Sequence, residues 1–235
     1  MTQEISSVDA VDLFNRGNTE GMLHNFPEAF ECFRKASEQG YAPALTNLGF
    51  FYEKGLGVPH NFLKAVECYK KAAEQGYAPA QCNLGWCYES GDGIIQNIDM
   101  AVEYYRKSAD QGYSPAQGNL GFCYGNGNGM EKDLDEAYKW YTKAAAQGNT
   151  FAQYYLGECY ELGIGKPKDI NKAIEWYKKA AEHGYAPAQN SLGYLYENGI
   201  GVDKNNLKAY EWYNCAAFQG HKTAKQNLEH LKKHD

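Results

Sequence analysis

The chain has 235 residues, 43% hydrophobic and 22% charged, with a formal net charge of −6 and an isoelectric point near 5.6. That acidic balance speaks against a nucleic-acid binder, which works through a basic stripe, and no apolar run approaches the roughly 18–20 residues of a membrane span. The composition is that of a soluble chain, and the opening MTQEISSVDAVDLF carries neither a basic n-region nor an apolar h-region. A cytoplasmic protein is therefore expected, with signal-less export left open.

Seven cysteines cannot all pair within one chain. Buried thiols in a reducing compartment are the simpler expectation.

In chain order, VDLFNRGNTEG reads as a first helix, followed by EAFECFRKASEQGY (28–41) as its partner. From residue 42 the chain repeats itself every 36 residues. Glycines recur at Gly49, Gly85, Gly121, Gly157 and Gly193, alanines at Ala65, Ala101, Ala137, Ala173 and Ala209, and tyrosines at Tyr69, Tyr105, Tyr141, Tyr177 and Tyr213. The expected organisation is one solenoid over 1–221, with a shorter unit at 7–41 and full units at 42–77, 78–113, 114–149, 150–185 and 186–221. Residues 222–235 read as a polar helix capping the stack.

Each full unit predicts helix A, a loop and helix B, thirteen helices or so in all, with no alternating pattern that would make a strand. In the unit 78–113, Ala80, Leu84, Cys87 and Tyr88 follow helical spacing, and the Gly-x-Gly at Gly91 and Gly93 ends helix A. Asn97 is the expected N-cap of helix B, a position filled elsewhere by Asn61, Asp133, Asp169 and Asn205. Helix B closes at Gly112, with Lys107 in its last turn complementing the helix dipole.

Features that look chemical dissolve into this repeat. GWCYESGDGI (85–94) holds a thiol, two carboxylates and a glycine-rich turn. Yet Asp92 is matched by Leu56, Asn128, Ile164 and Ile200, and Cys87 by Phe51, Cys123, Cys159 and Leu195, so the columns demand no acid and no thiol. Calcium loops need several oxygen ligands at fixed spacing, and phosphate cradles follow a strand. His230 and His234 stand four apart, but in EHLKKH the glutamate precedes the first histidine, so no zinc-protease motif arises. No metal, cofactor or catalytic group is assigned.

The pattern in FAQYYLGECYELGIGKPKDINKAIEWYKKAAEHG (151–184) resembles the Sel-1-like repeat family, a branch of the tetratricopeptide-type helical repeats. The shorter first unit is more similar to a tetratricopeptide repeat proper. The resemblance implies an all-α, right-handed solenoid whose concave surface, lined by A helices, holds other proteins. Some extracellular members pair thiols eight positions apart, and the spacing here contains no such pair, which sets aside the β-lactam-related activities attributed to them.

A partner surface is therefore expected on helix A. One column reads Phe50, Trp86, Phe122, Glu158, Tyr194, and the column three later reads Glu53, Glu89, Gly125, Glu161, Glu197. If exposed, they make an aromatic ladder beside an acidic one, suited to a basic protein or peptide. The alternative is packing between neighbouring units. Glutamates near a helix C-terminus oppose its dipole, so lysines or a ligand should offset them. The unit 150–185 departs most from its siblings, with Phe151 where they carry proline, and with Tyr154, Tyr155 and Glu158. The expected function is a non-catalytic interaction scaffold; the alternatives are a hydrolase acting across the groove and a self-assembling structural module, and oligomeric state is left open.

Overall fold

The computed structural model describes residues 9–234, with side chains as far as Lys232. The first residues of the unit placed at 7–41, the side chain of His234 and Asp235 lie outside that range. Among the described residues there are thirteen α-helices and no strand. They are α1 (Ala10–Met22), α2 (Phe26–Glu38), α3 (Ala42–Lys54), α4 (Phe62–Glu74), α5 (Ala78–Ser90), α6 (Ile98–Asp110) and α7 (Ser114–Asn126), then α8 (Leu134–Ala146), α9 (Thr150–Leu162), α10 (Ile170–Glu182), α11 (Ala186–Asn198), α12 (Asn206–Phe218) and α13 (Lys222–His234). This is the all-α solenoid of helix–loop–helix repeats that the 36-residue period predicts. The chain divides into two compact units, residues 1–116 and 117–235.

The helix ends follow from local chemistry. Helices α3, α5, α9 and α11 begin after an extended residue such as Tyr77, and α5 carries Pro79 in its first turn, where the missing N–H costs no hydrogen bond. Gly91 ends α5 at φ 82°, a left-handed conformation from which its N–H reaches the carbonyl of Cys87. Gly93, two residues on, lies against the backbone of Phe62: a Cβ there would sit 2.5 Å from its carbonyl carbon. The glycine pair thus both stops the helix and lets its loop lie on the preceding repeat. Asn97 then caps α6, its side chain accepting from the Met100 N–H at 3.0 Å. Asn61, Asp133, Asp169 and Asn205 cap their helices in the same way. Of the four orphan donors that open an isolated helix, such a cap relieves some, each cap contributing about 1 kcal/mol.

In the first unit, α1/α2, α3/α4 and α5/α6 are antiparallel hairpins, and α2 and α4 pack on the helix that follows. The hairpin α1/α2 turns within 23–25, where His24 takes φ 59°, and has no Gly-x-Gly. Its core joins Ala29, Phe30 and Phe33 to Leu48 and Phe51, and continues through Ala65, Tyr69, Leu84 and Cys87. In the second unit Ala137, Tyr141, Leu156 and Cys159 form one layer, and Ile174, Tyr177, Leu192 and Leu195 the next. α13 buries Ala224, Leu228 and Leu231 against α12.

Candidate functional site

Helix A turns about 100° per residue, so Ala80, Leu84 and Cys87 share the buried face and Trp86 points the other way. The burial agrees: Leu84 and Cys87 are fully buried, while Trp86 is 38% exposed. Phe50 is 43% and Tyr194 49% exposed in the same column. Such large apolar side chains left at the surface at a repeated position are the features from which interfaces take their anchors. Lys54 lies over the Phe50 ring, 5.8 Å from its centre, and Phe62 flanks Trp86 at 6.5 Å. Tyr194 borders a cavity of about 370 Å³ with Glu161, Asn190, Ser191 and Asn227.

The acidic column behaves differently from the ladder expected of it. Glu89 is half-buried and accepts the Tyr105 hydroxyl at 2.5 Å. Glu53 takes Tyr69 at 2.8 Å, Glu161 takes Tyr177 at 2.6 Å and Glu197 takes Tyr213 at 2.7 Å. The offset to the helix dipole is thus not chiefly lysine. It is a hydroxyl from helix B of the same repeat. Burial and the adjoining carboxylate hold the Tyr69, Tyr177 and Tyr213 phenols protonated well above the usual tyrosine range. In this column Glu53 also meets Lys54 at 2.6 Å, and Glu197 has the His230 imidazole 3.6 Å away.

Phe122, Phe151, Tyr154, Tyr155 and Glu158 are brought together in the second unit. Phe151 and Tyr155 have ring centres 4.6 Å apart, and Phe122 lies 6.0 Å and 5.6 Å from them. Tyr155 stacks on Tyr141 at 5.2 Å with planes 10° apart. Tyr154 reaches inward to Tyr177 and Tyr185, and its hydroxyl donates to Glu158 at 2.8 Å. Burial raises the Glu158 pKa, the Tyr154 hydrogen bond lowers it, and nearby Glu161 raises it again. All five side chains are half-buried, so this cluster is partly core and partly surface. Phe50, Trp86 and Glu89 belong to the first unit and are not part of it.

Sequence reasoning missed a second polar column. Gln81, Gln117, Gln153 and Gln189 are buried on helix A. Gln111 donates to Gln81 at 2.7 Å, Gln147 to Gln117 at 2.8 Å and Gln219 to Gln189 at 2.8 Å, stapling helix B to helix A. Their 36-residue recurrence was the available signal. The cysteines Cys87, Cys123 and Cys159 are buried, and burial pushes the Cys87 and Cys159 thiols up to about 12. Among the described residues no group of three His, Cys, Asp or Glu side chains is placed to hold a metal, and no helix is long and apolar enough to cross a membrane.

Comparison with known proteins places this geometry. The Sel1 repeat model matches residues 10–41, 42–77, 78–113, 114–149, 150–185 and 186–221. No curated protein matches the chain. Among solved structures, a Sel1 repeat protein from Oxalobacter formigenes is 36% identical, with a TM-score of 0.82 over 92% of this chain and 86% of that one. The protective antigen c5321 of uropathogenic Escherichia coli, which displays an SLR fold, is also 36% identical, with a TM-score of 0.73 over 93% of this chain. This chain spans 48% of that longer one. An immunity protein from Pseudomonas aeruginosa, Pa5087, shares the fold at 22% identity and a TM-score of 0.59, covering 94% of this chain and 81% of its own. Proteins built from Sel1 repeats are generally interaction scaffolds, typically without catalysis. With six repeats matched across residues 10–221, the chain belongs to the Sel1 repeat family.

Proposed function

We propose that this chain is a non-catalytic scaffold that holds a protein or peptide of basic character on the A-helix faces of its repeats. Phe50, Trp86 and Glu89 serve the first unit, and Phe122, Phe151, Tyr154, Tyr155, Glu158 and Tyr194 the second. The observation that carries this reading is the repeated exposure of a large aromatic side chain at one helix-A position, in Phe50, Trp86 and Tyr194. Burying the exposed part of such side chains against a partner would supply binding energy beyond that of their present contacts. The net charge of −6 favours a cationic partner through faster encounter. The buried thiols of Cys32, Cys87 and Cys159, none of them in a disulfide, suit a reducing compartment such as the cytoplasm.

Tyr154 is a poor residue for the test, because it packs on Tyr177 and Tyr185 and its truncation would open the core. The variant of choice is Trp86→Ala/Tyr194→Ala, in which both side chains are substantially exposed. Partner capture by the wild-type chain is expected to fall at least tenfold in this variant, at unchanged helical content by circular dichroism. Equal capture by both chains overturns the placement.

A further inference from the structure

In four full repeats the helix-A glutamate receives the helix-B tyrosine hydroxyl; in the repeat 114–149 the glutamate is replaced by Gly125. The tyrosine is still present. Tyr141 is 4% exposed, and its hydroxyl has no hydrogen-bond partner of the kind its four counterparts have. A Cβ on Gly125 would lie 3.6 Å from that hydroxyl oxygen with nothing closer, so the space of the missing side chain is real. It forms a cavity of about 150 Å³, walled by Leu134, Ala137, Leu162 and Ile164 and open to Tyr141 and Glu158.

Glu158 enters this cavity from α9. Tyr154 donates to one of its oxygens at 2.8 Å, and no cation among the described residues pairs with it. A half-buried carboxylate held by a neutral hydroxyl keeps much of its desolvation cost. A cation placed beside it would offset that cost, whereas a second carboxylate would be repelled.

We propose that the cavity at Gly125 receives the side chain of a lysine from the bound partner, its alkyl stem against Leu134, Leu162 and Ile164 and its ammonium donating to Glu158 and the Tyr141 hydroxyl oxygen. The size agrees: about 150 Å³ is several times the roughly 10–15 Å³ that one water needs on the same measure, room enough for the few heavy atoms of an alkylammonium side chain. The donor count agrees as well. An ammonium brings three donors to these acceptors, where a guanidinium would bring five and leave more of them unmet. Stacking of Tyr155 on Tyr141 holds the hydroxyl-bearing ring in place.

This assignment rests on the scaffold reading for its partner, but the cavity can be tested without one. n-Butylammonium chloride, titrated into the full chain and followed by amide correlation spectra, is expected to give saturable shifts centred on Gly125, Asn126 and Leu162. Butyrate at the same concentrations should give none. Gly125→Glu supplies the side chain its sibling repeats carry and should abolish the response. Glu158→Gln, which can still accept from Tyr154, should weaken it at least tenfold. Absence of saturable binding, an equal response to butyrate, or a response indifferent to both substitutions overturns the proposal. Should n-butylammonium fail to bind while Trp86→Ala/Tyr194→Ala still abolishes partner capture, the lysine site falls and the scaffold reading stands. Specific n-butylammonium binding with capture indifferent to that double variant gives the reverse.

Discussion

Gly85 of α5 yields its side-chain position to the ring of Tyr105 of α6: a Cβ on Gly85 would lie 2.8 Å from two ring carbons and 3.1 Å from the Ala101 carbonyl oxygen. The tyrosine ring lies over the glycine and its hydroxyl reaches Glu89, one helical turn further along α5. Glycine, tyrosine and glutamate at these three positions are thus one device. Gly85→Ala gains up to about 1 kcal/mol of helix propensity but forces a fully buried ring to move, at about 1–3 kcal/mol. The urea midpoint of unfolding should fall. Gly21→Ala is the control, because nothing lies within 4 Å of the Cβ it would add. There stability should hold or rise by up to about 1 kcal/mol.

The hydroxyl half of the device is tested by two identical substitutions with different expected results. Tyr177→Phe removes the donor to Glu161 and leaves a partly buried carboxylate short of a hydrogen bond. A loss of about 1–3 kcal/mol is expected, since this acceptor is charged. Tyr141→Phe removes a hydroxyl that faces the Gly125 cavity and donates to no glutamate of its repeat. It should change stability by less than about 0.5 kcal/mol. Equal losses in the two variants, by denaturant titration, would show that the hydroxyl–carboxylate bond contributes nothing particular.

Much of this was legible in the sequence because repetition converts one local signal into five. The glycine pair of Gly91 and Gly93, the Asn97 cap and the buried Cys87 column each follow from residue chemistry and all recur in the structure. The aromatic column was legible in part: Phe50, Trp86 and Tyr194 are exposed, but Phe122 packs on Phe151 and Tyr155. The role of the glutamates was not legible. Glu89 meets Tyr105, sixteen residues later on another helix, and only the crossing of the two helices brings them together. The same holds for Gly125, which reads as an irregularity in a column until Tyr141 is found opposite it.

The glutamine staple carries its own exception. At the position of Gln111, Gln147 and Gln219, the repeat 150–185 has His183, whose Nδ1–H donates to the Lys179 carbonyl at 2.8 Å. Gln153 is left with a buried Oε1 that has no partner. His183→Gln supplies the missing amide donor in the geometry its siblings use. The expected gain is about 0.5–1.5 kcal/mol, read as a higher urea midpoint. A glutamine here that stabilises nothing would mean the Gln–Gln bond is exchanged for water at no cost.

Alkali should unfold the chain earlier than its acidic composition suggests. Burial raises the phenols of Tyr69, Tyr141, Tyr177 and Tyr213 above their ordinary values, and lifts the thiols of Cys87 and Cys159 to about 12 and of Cys68 to about 11. These groups are neutral when protonated. Above about pH 8.5 for the thiols and about pH 10 for the phenols, the unfolded chain releases protons that the folded chain retains. Stability is therefore fully present below those values and declines as pH rises through the window up to the folded-state pKa. Thermal midpoints should be flat from pH 7 to about 8.5 and fall steeply beyond pH 10. At pH 8 a thiol reagent should modify the exposed Cys215 first, while Cys87 and Cys159 react only at the rate of unfolding. Rapid modification of Cys87 in the folded chain would contradict both its burial and the alkaline argument built on it.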